Sequence, residues 1–468
     1  MQGKHDDGEF WQKKIDKMSE RCKKWSNRNL SFQGKVHILK SEVLSVIMYA
    51  IRLKVLPINY KDQIKKMIWN FIWNSKPERV KRNTCIRLKV DGGIGVPDID
   101  KIIQAARLSM LAKILTGESE RWKELPNKYL KILDEKYGIE FFSLKATCTK
   151  YEPLMSEIPT FYQEMIQSWQ NLKTCECESE KHFNPYEQYL WCNHKIQLNN
   201  RPLTDSYWAK AGILKVRDIL DKEGELKIDE IKNKVSNKAE VELKLIKIMK
   251  AIPADWKPLL RTNSYDETID HDTIKLTIKI NGKDRQLQKV TCKDIYRILL
   301  KYDYQKSRSE INIEEQWGEI DWYKIYREMC RKNPDIDRKK VDFNWKCLQN
   351  AVYTETKLHK IGLSNGMCQF CEIENEDTEH MLYLCETISG VWETVEAELK
   401  IKHNIDTNIC YKDILLGRYD DSKNNAKERL LINQYISNTK WLLWTRRNEL
   451  RYEQKWSDVT KIITNITK

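Results

Sequence analysis

Apolar residues recur at helical spacing through the first hundred positions. In residues 10–30, FWQKKIDKMSERCKKWSNRNL, Phe10, Ile15, Met18, Cys22 and Trp25 fall near one helix face. Ser31 suits the N-cap of the next stretch, SFQGKVHILKSEVLSVIMYAIRL (31–53), which is apolar enough to predict a largely buried helix. A break at Pro57-Ile58-Asn59 follows. Then Ile64, Met67, Ile68, Phe71 and Ile72 repeat at i, i+3, i+4, i+7 and i+8. Three helices with short connections predict a bundle. DGGIGVPDI (91–99) is turn-rich and leads into a further helix over 99–116. Its glycines match neither GxxxxGK[ST] nor GxGxxG, which favours a structural turn over a phosphate loop.

Residues 117–200 show no clear period. Around 273–290, TIKLTIKINGKDRQLQKV alternates about Asn281-Gly282, the pattern of a hairpin with a tight primed turn. Helical spacing returns over 291–301, 318–331, 338–361, 386–400 and 425–455. The fold class is therefore mainly α and multi-domain. The expected partition is a basic helical bundle (1–116), a connector with a β-hairpin (117–310), a small helical zinc-binding domain (311–405) and a helical C-terminal segment (406–468).

Composition supports this picture: 16 Gly and 11 Pro in 468 residues leave few helix breakers. The net charge of +14 is unevenly placed. Residues 1–130 hold 27 Lys and Arg against 14 Asp and Glu, so nearly all of the excess lies in the first quarter. Such asymmetry suggests a polyanion, nucleic acid first; the alternative is a solvated lysine-rich surface. No apolar run reaches the length of a membrane span, and the polar start MQGKHDDGEF is not a secretory signal. Thirteen cysteines, an odd number spread along a long chain, point to a reducing compartment, nuclear or cytoplasmic.

Residues 368–385, CQFCEIENEDTEHMLYLC, carry the most specific chemistry. Cys368, Cys371, His380 and Cys385 give C-x2-C-x8-H-x4-C. Thiolate and imidazole are the ligands zinc prefers, and four of them close a tetrahedron with no open position, which makes the site structural. His380 and Cys385 cannot share a face of a regular α-helix, being about 140° apart at ~100° per residue. The backbone should bend or break before Cys385, and MLYL (381–384) can pack beneath the metal. The loop EIENEDTE (372–379) holds five acids and no base, so it is no phosphate grip. A second group of ligand types, Cys175, Cys177, His182, Cys192 and His194, fits no standard spacing.

Several of these segments resemble the non-LTR (LINE-type) retrotransposon reverse transcriptases. WSNRNLSFQGKVHILKSEVLSVIMYAIRLKVLPI, IKKMIWNFIWN and DGGIGVPDI look like the thumb region just after that family's polymerase core, through Trp25, Arg28, Leu30, Ser31, Gly34, Lys35, Lys40, Tyr49, Phe71, Trp73, Gly92, Gly93, Gly95 and Pro97. WCNHKIQLNNRPLTDSYWAKAGILKVRDIL (191–220) is similar to the connector, where Cys192 and His194 occupy variable places. KVTCKDIYRILL, QWGEIDWYKIY and FNWKCLQNAVYTETKLHKIGL look like the approach to the family's zinc-binding domain, completed by the Cys/His motif and Val391-Trp392.

The resemblance implies a nucleic-acid-binding chain with RNA and RNA–DNA or DNA duplex as partners, no membrane, and structural zinc as its cofactor. Phosphate contacts would come from Arg28, Lys35, Lys40, Lys65, Lys66, Arg79, Lys81 and Arg82, with most of the affinity in residues 1–130. The family's polymerase chemistry needs metal-binding carboxylates, usually in a Tyr/Phe-Ala-Asp-Asp turn, and no such motif occurs here. The expectation is a chain that begins just past the palm and is inactive alone. Two rivals stand beside it: part of an active RNA-directed DNA polymerase whose core is encoded upstream, and a zinc-braced protein-interaction scaffold. Trp345 and Trp392 read as core rather than base-stacking residues. Trp441, Trp444, Arg446 and Arg447 read as a charge-and-core helix or as an RNA or partner contact.

Overall fold

The computed structural model describes residues 3–115, 120–137, 158–179, 184–193, 195–235, 238–262, 277–280, 283–330, 337–419 and 425–453. It is mainly α-helical, with two small antiparallel two-stranded pairs. Contacts divide it into two compact units. One comprises residues 1–46, 58–98 and 303–468, and the other residues 47–57 and 99–302.

In the first unit the opening helix, Gly3–Ser26, buries Trp11, Ile15, Met18 and Cys22 and packs on the helix Ile58–Trp73. Ser31 caps the next helix, its hydroxyl accepting from Gly34 N at 3.2 Å. The single helix expected over 31–53 is broken. Phe32–Ile38 is α-helical, Leu39–Val43 is a π-turn, and two short pieces follow at Ser45–Met48 and Ala50–Leu53. Ser41 Oγ donates to His37 O and Ser45 Oγ to Glu42 O, both at 2.9 Å. Arg21 also takes the Glu42 carbonyl. Side chains thus compete for helix carbonyls where the register slips.

The turn-rich segment 91–99 owes its glycines to close packing. Gly92 has φ +83°, and a Cβ there would lie 2.5 Å from the Tyr326 ring. A Cβ on Gly93 would fall 2.1 Å from Arg87 O. Trp345 closes this junction, its Nε1 donating to Gly92 O at 2.8 Å. The Phe32 ring stands edge-on to Trp345 at 5.7 Å and to Trp73 at 5.4 Å. Residues 1–46 and 58–98 therefore belong to one compact unit with the later zinc-bearing segment.

A buried ion pair sits beside this junction. Arg87 and Glu310 meet at 3.0 Å with almost no exposure. Glu310 also accepts from Tyr326 OH at 2.7 Å and completes a capping box with Ser307 at the start of the helix Arg308–Trp317. Gly318 ends that helix, and Asp321 caps the next, Trp322–Met329. The helix expected over 338–361 is also two pieces, Arg338–Leu348 and Glu355–His359. Asn350, at φ +49°, turns the chain, and its backbone and side-chain oxygens each accept from Lys357 Nζ at 2.6 Å. Further on lie Ser389–His403 and the long helix Ala426–Glu453.

The second unit is organised by the helix Ile99–Ile114, against which Cys292–Tyr302 and Thr160–Ser179 pack. Arg107 is fully buried in it. Its guanidinium pairs with Glu164 at 2.7 Å, donates to Lys54 O at 3.0 Å, and lies 4.2 Å over the Phe161 ring. Two features expected as weakly periodic prove ordered: the helices Glu124–Tyr137 and Thr160–Ser179. Strands Thr277–Ile280 and Lys283–Gln286 pair antiparallel with Ile280 opposite Lys283, the register a two-residue turn requires. Asn281 and Gly282 themselves lie outside the described residues, as do His182 and His194; Cys192 is buried. Among the described residues no helix is long and apolar enough to cross a membrane.

Removing only one partner of Arg87–Glu310 strands a buried charge. Glu310→Ala should cost about 3–5 kcal/mol in chemical denaturation. Replacing both, Arg87→Met with Glu310→Leu, should recover most of that loss. A double variant no more stable than the single one would refute this account.

Candidate metal centre

The metal centre begins as a tight knuckle. Gly366, at φ +89°, sets up an antiparallel bridge between Met367 and Asn375. Cys368 N then donates to Glu374 O at 2.7 Å, and Glu372 N turns back to Cys368 O at 2.9 Å. Glu372 takes φ +57° to close the turn. Phe370 N points at Cys368 Sγ from 3.4 Å, so a backbone donor faces the sulfur. The C-x2-C spacing thereby aims both thiols to one side.

The second ligand pair comes from an unusual turn. Asp377 Oδ1 accepts from His380 N at 2.7 Å and starts a single π-turn, His380–Leu384. Its closing bond, Cys385 N to His380 O, spans five residues at 3.1 Å. That wide turn brings His380 and Cys385 onto the same side, which an α-helix could not. Cys385 then leaves with extended backbone, at φ −63° and ψ 122°. The expected bend is present, built by widening the turn. Met381 and Leu382 are buried beneath it and Tyr383 packs half-buried against the same core, while Leu384 is exposed. Trp392 Nε1 holds the Leu382 carbonyl at 2.7 Å, which fixes that tryptophan in the core.

The four ligand atoms all lie within 4.8 Å of one another. Cys368 Sγ and Cys385 Sγ are 3.9 Å apart, and Cys371 Sγ is 3.4 Å from His380 Nε2. Sulfurs about 2.3 Å from one tetrahedral zinc stand roughly 3.8 Å apart, so the spacing fits the ion. His380 Nδ1 faces Glu374 Oε2 at 3.0 Å. That carboxylate holds the proton on Nδ1 and leaves Nε2 free to ligate. The Cys385 thiol is pulled down to about 5, chiefly by the hydrogen bond from Cys368, while Cys368 is pushed up by the same contact and by burial. Three cysteines and one histidine with no open fourth position make a structural site.

The acidic loop has a second task that spacing did not reveal. Glu376 is fully buried and receives Arg447 at 2.6 Å. Arg447 also meets buried Glu355 at 2.5 Å, and Arg451 pairs with the other Glu355 oxygen. Two guanidiniums thus face two carboxylates, tying the helix Ala426–Glu453 to the zinc loop. On the same helix Trp444 stacks on Phe343 at 5.4 Å, Trp441 meets that ring edge-on, and Arg446 pairs with Glu449 at 2.5 Å. This is the charge-and-core arrangement.

A family model, zinc-binding in reverse transcriptase, matches residues 313–392. The segment holds all four ligands. Over that segment the chain is similar to the zinc-binding region of reverse transcriptases.

The basic residues singled out for nucleic acid are distributed as follows. Arg28 is exposed with its guanidinium 4.5 Å over Trp25. Lys66 and Lys81 are exposed, and Lys65 is half-buried. Lys40 is exposed at its residue but partly desolvated, and burial followed by Lys89 lowers its pKa. Arg82 is exposed and bound to Glu78 at 2.6 Å. Arg79 is half-buried over Tyr353 at 4.0 Å. Lys35 turns inward, donating to Ile72 O at 2.7 Å and Asn74 Oδ1 at 2.6 Å. Burial first, then Lys346, holds its pKa down at about 8. It is a bracing residue, unavailable to a phosphate. Helical arithmetic carried the signal, since Phe32, Lys35, Val36 and Leu39 share one face.

Protein expressed with ample zinc should carry one zinc per chain by elemental analysis. Cys368→Ser with Cys371→Ser should lose the metal together with local helicity. Metal-replete protein that contains no zinc would rule the centre out.

Proposed function

We propose that this chain is the nucleic-acid-binding C-terminal portion of a non-LTR (LINE-type) retrotransposon reverse transcriptase, braced by structural zinc and without polymerase activity of its own. The observation that carries the reading is the closed Cys368–Cys371–His380–Cys385 set inside the segment similar to the zinc-binding region of reverse transcriptases. Phe32 and Gly92, in stretches similar to the family's thumb, both contact Trp345 of that segment. The excess positive charge of the first quarter supplies the affinity, and RNA, RNA–DNA and DNA duplexes are its ligands.

Binding of this kind is electrostatic and nearly indifferent to sequence, because backbone contacts carry no base information. Zinc contributes folding free energy rather than a phosphate grip. The sequence holds no acidic pair in the setting that two-metal nucleotidyl transfer requires.

Fluorescence anisotropy with a labelled RNA–DNA duplex tests the reading on the whole chain. Six phosphate contacts should cost roughly a thousandfold in affinity between about 50 and 200 mM salt. Changing Lys65, Lys66, Lys81 and Arg82 together to Ala should weaken binding and flatten the slope. Folded, zinc-loaded protein that ignores the duplex at low salt would favour a protein-interaction scaffold instead. A primer-extension assay with Mg²⁺ or Mn²⁺ should show no incorporation. Nucleotide addition by protein free of other polymerases would restore the enzyme reading.

A further inference from the structure

We propose that Arg447 is a positioning residue of the zinc centre: without ligating the metal, it holds the knuckle that presents Cys368 and Cys371. The inference rests on the metal centre alone and not on the binding of nucleic acid. Arg447 lies on the helix Ala426–Glu453, beyond the end of the zinc-binding match at residue 392.

Two carboxylates carry its effect to the ligands. Glu376 stands between the ligand pairs, and its side chain is fully buried. One of its oxygens accepts from Glu355 N at 2.9 Å, and the other accepts at 3.4 Å from the backbone N of Gln369, the residue after Cys368. Its main chain grips the same turn. Glu376 N donates to Gly366 O at 3.0 Å, and Glu376 O accepts from Thr356 N at 3.1 Å. Glu355, equally buried, reaches the chain just before the knuckle. Its Oε2 accepts from the Ser364 hydroxyl, which itself accepts from Gly366 N at 3.0 Å. A displaced carboxylate therefore moves the backbone on one side of Cys368 or the other.

Arg447 keeps both carboxylates in place. Its Nε lies 3.0 and 3.2 Å from the two Glu376 oxygens. Its Nη2 lies 2.6 Å from Glu376 Oε1 and 2.5 Å from Glu355 Oε1. Its Nη1 donates to Asn448 Oδ1 at 3.1 Å, and the guanidinium rests 5.3 Å over the Trp444 ring. Arg451 pairs with the far oxygen of Glu355, so among the described residues Arg447 is the one cation paired with Glu376. Without the guanidinium, a carboxylate with no exposure is left charged and alone, which protein interiors do not tolerate. Its route to water is to open the turn, and Gln369 and Cys368 go with it. Lysine is a poor substitute, because an ammonium lacks the planar fork that spans two carboxylates.

The test uses the full chain. Zinc affinity is read by competition against a chelator, coordination by the visible spectrum of the cobalt(II) form, and thermal stability is followed alongside. Arg447→Met should weaken zinc binding roughly 10–100-fold and change the cobalt spectrum. Arg447→Lys should fall between that variant and wild type. Adding Glu376→Gln to Arg447→Met should return most of the lost affinity, because the amide still accepts from Gln369 N and needs no cation. Ile436→Ala, a cavity in the same helix, should lower the melting temperature and leave zinc affinity and spectrum unchanged. Wild-type affinity and spectrum in Arg447→Met overturn the proposal. An equal loss of affinity in Ile436→Ala also overturns it, since Arg447 then acts only through general stability. So does a Glu376→Gln background in which Arg447→Met costs as much as before. If Arg447→Met does not fold, Arg447→Lys decides, and wild-type affinity there overturns the proposal. Wild type that takes up neither ion overturns it together with the metal centre.

Discussion

The bond from the Trp345 indole to the Gly92 carbonyl is the point on which the first unit depends. Three stretches of chain meet there: the helix Phe32–Ile38, the glycine turn and the helix Arg338–Leu348. The constraint is steric as much as polar. Gly92 must lack a side chain for Tyr326 to close over it, and Gly93 must lack one to let the Arg87 carbonyl approach. Once those contacts form, Arg87 is carried to Glu310 and Asp342 to the start of the Phe32–Ile38 helix. The basic opening residues and the zinc-bearing residues are consequently parts of one compact unit, although a linear reading separates them.

The metal centre solves a local problem of geometry. Ligands five residues apart need a turn wider than an α-helix offers, and the π-turn His380–Leu384 provides it. Its cost appears on the surface, where the extra residue leaves Leu384 exposed. The acids of the intervening loop are divided between tasks. Glu374 orients the histidine, Asp377 starts the turn, and Glu376 is withdrawn inside to receive Arg447.

Short-range pattern made much of this legible. The mainly helical class, the amphipathic faces of the first helices, the hairpin flanks, the zinc ligands and the bend before Cys385 all follow from residues within a turn or two of one another. What escaped was decided across long separations or by competition for backbone groups. Arg447 reaches Glu376 across 71 positions and Glu355 across 92, and no local spacing announces either contact. The interruption within 31–53 comes from serine hydroxyls and Arg21 taking helix carbonyls, an effect invisible to hydrophobic periodicity. Lys35 differs for another reason: its place on the apolar face beside Phe32, Val36 and Leu39 turns its charge inward to Ile72 O and Asn74.

The clamp between Arg447 and the zinc loop makes the metal and the helix Ala426–Glu453 thermodynamic partners. Glu376 sits in the loop between the two ligand pairs, so the loop conformation that receives Arg447 is also the one that presents the ligands. Coupling of this kind is reciprocal. Whatever factor the ion contributes to docking that helix, the docked helix returns to the ion's affinity. A side chain more than sixty residues beyond the last ligand thereby takes part in setting how tightly the metal is held.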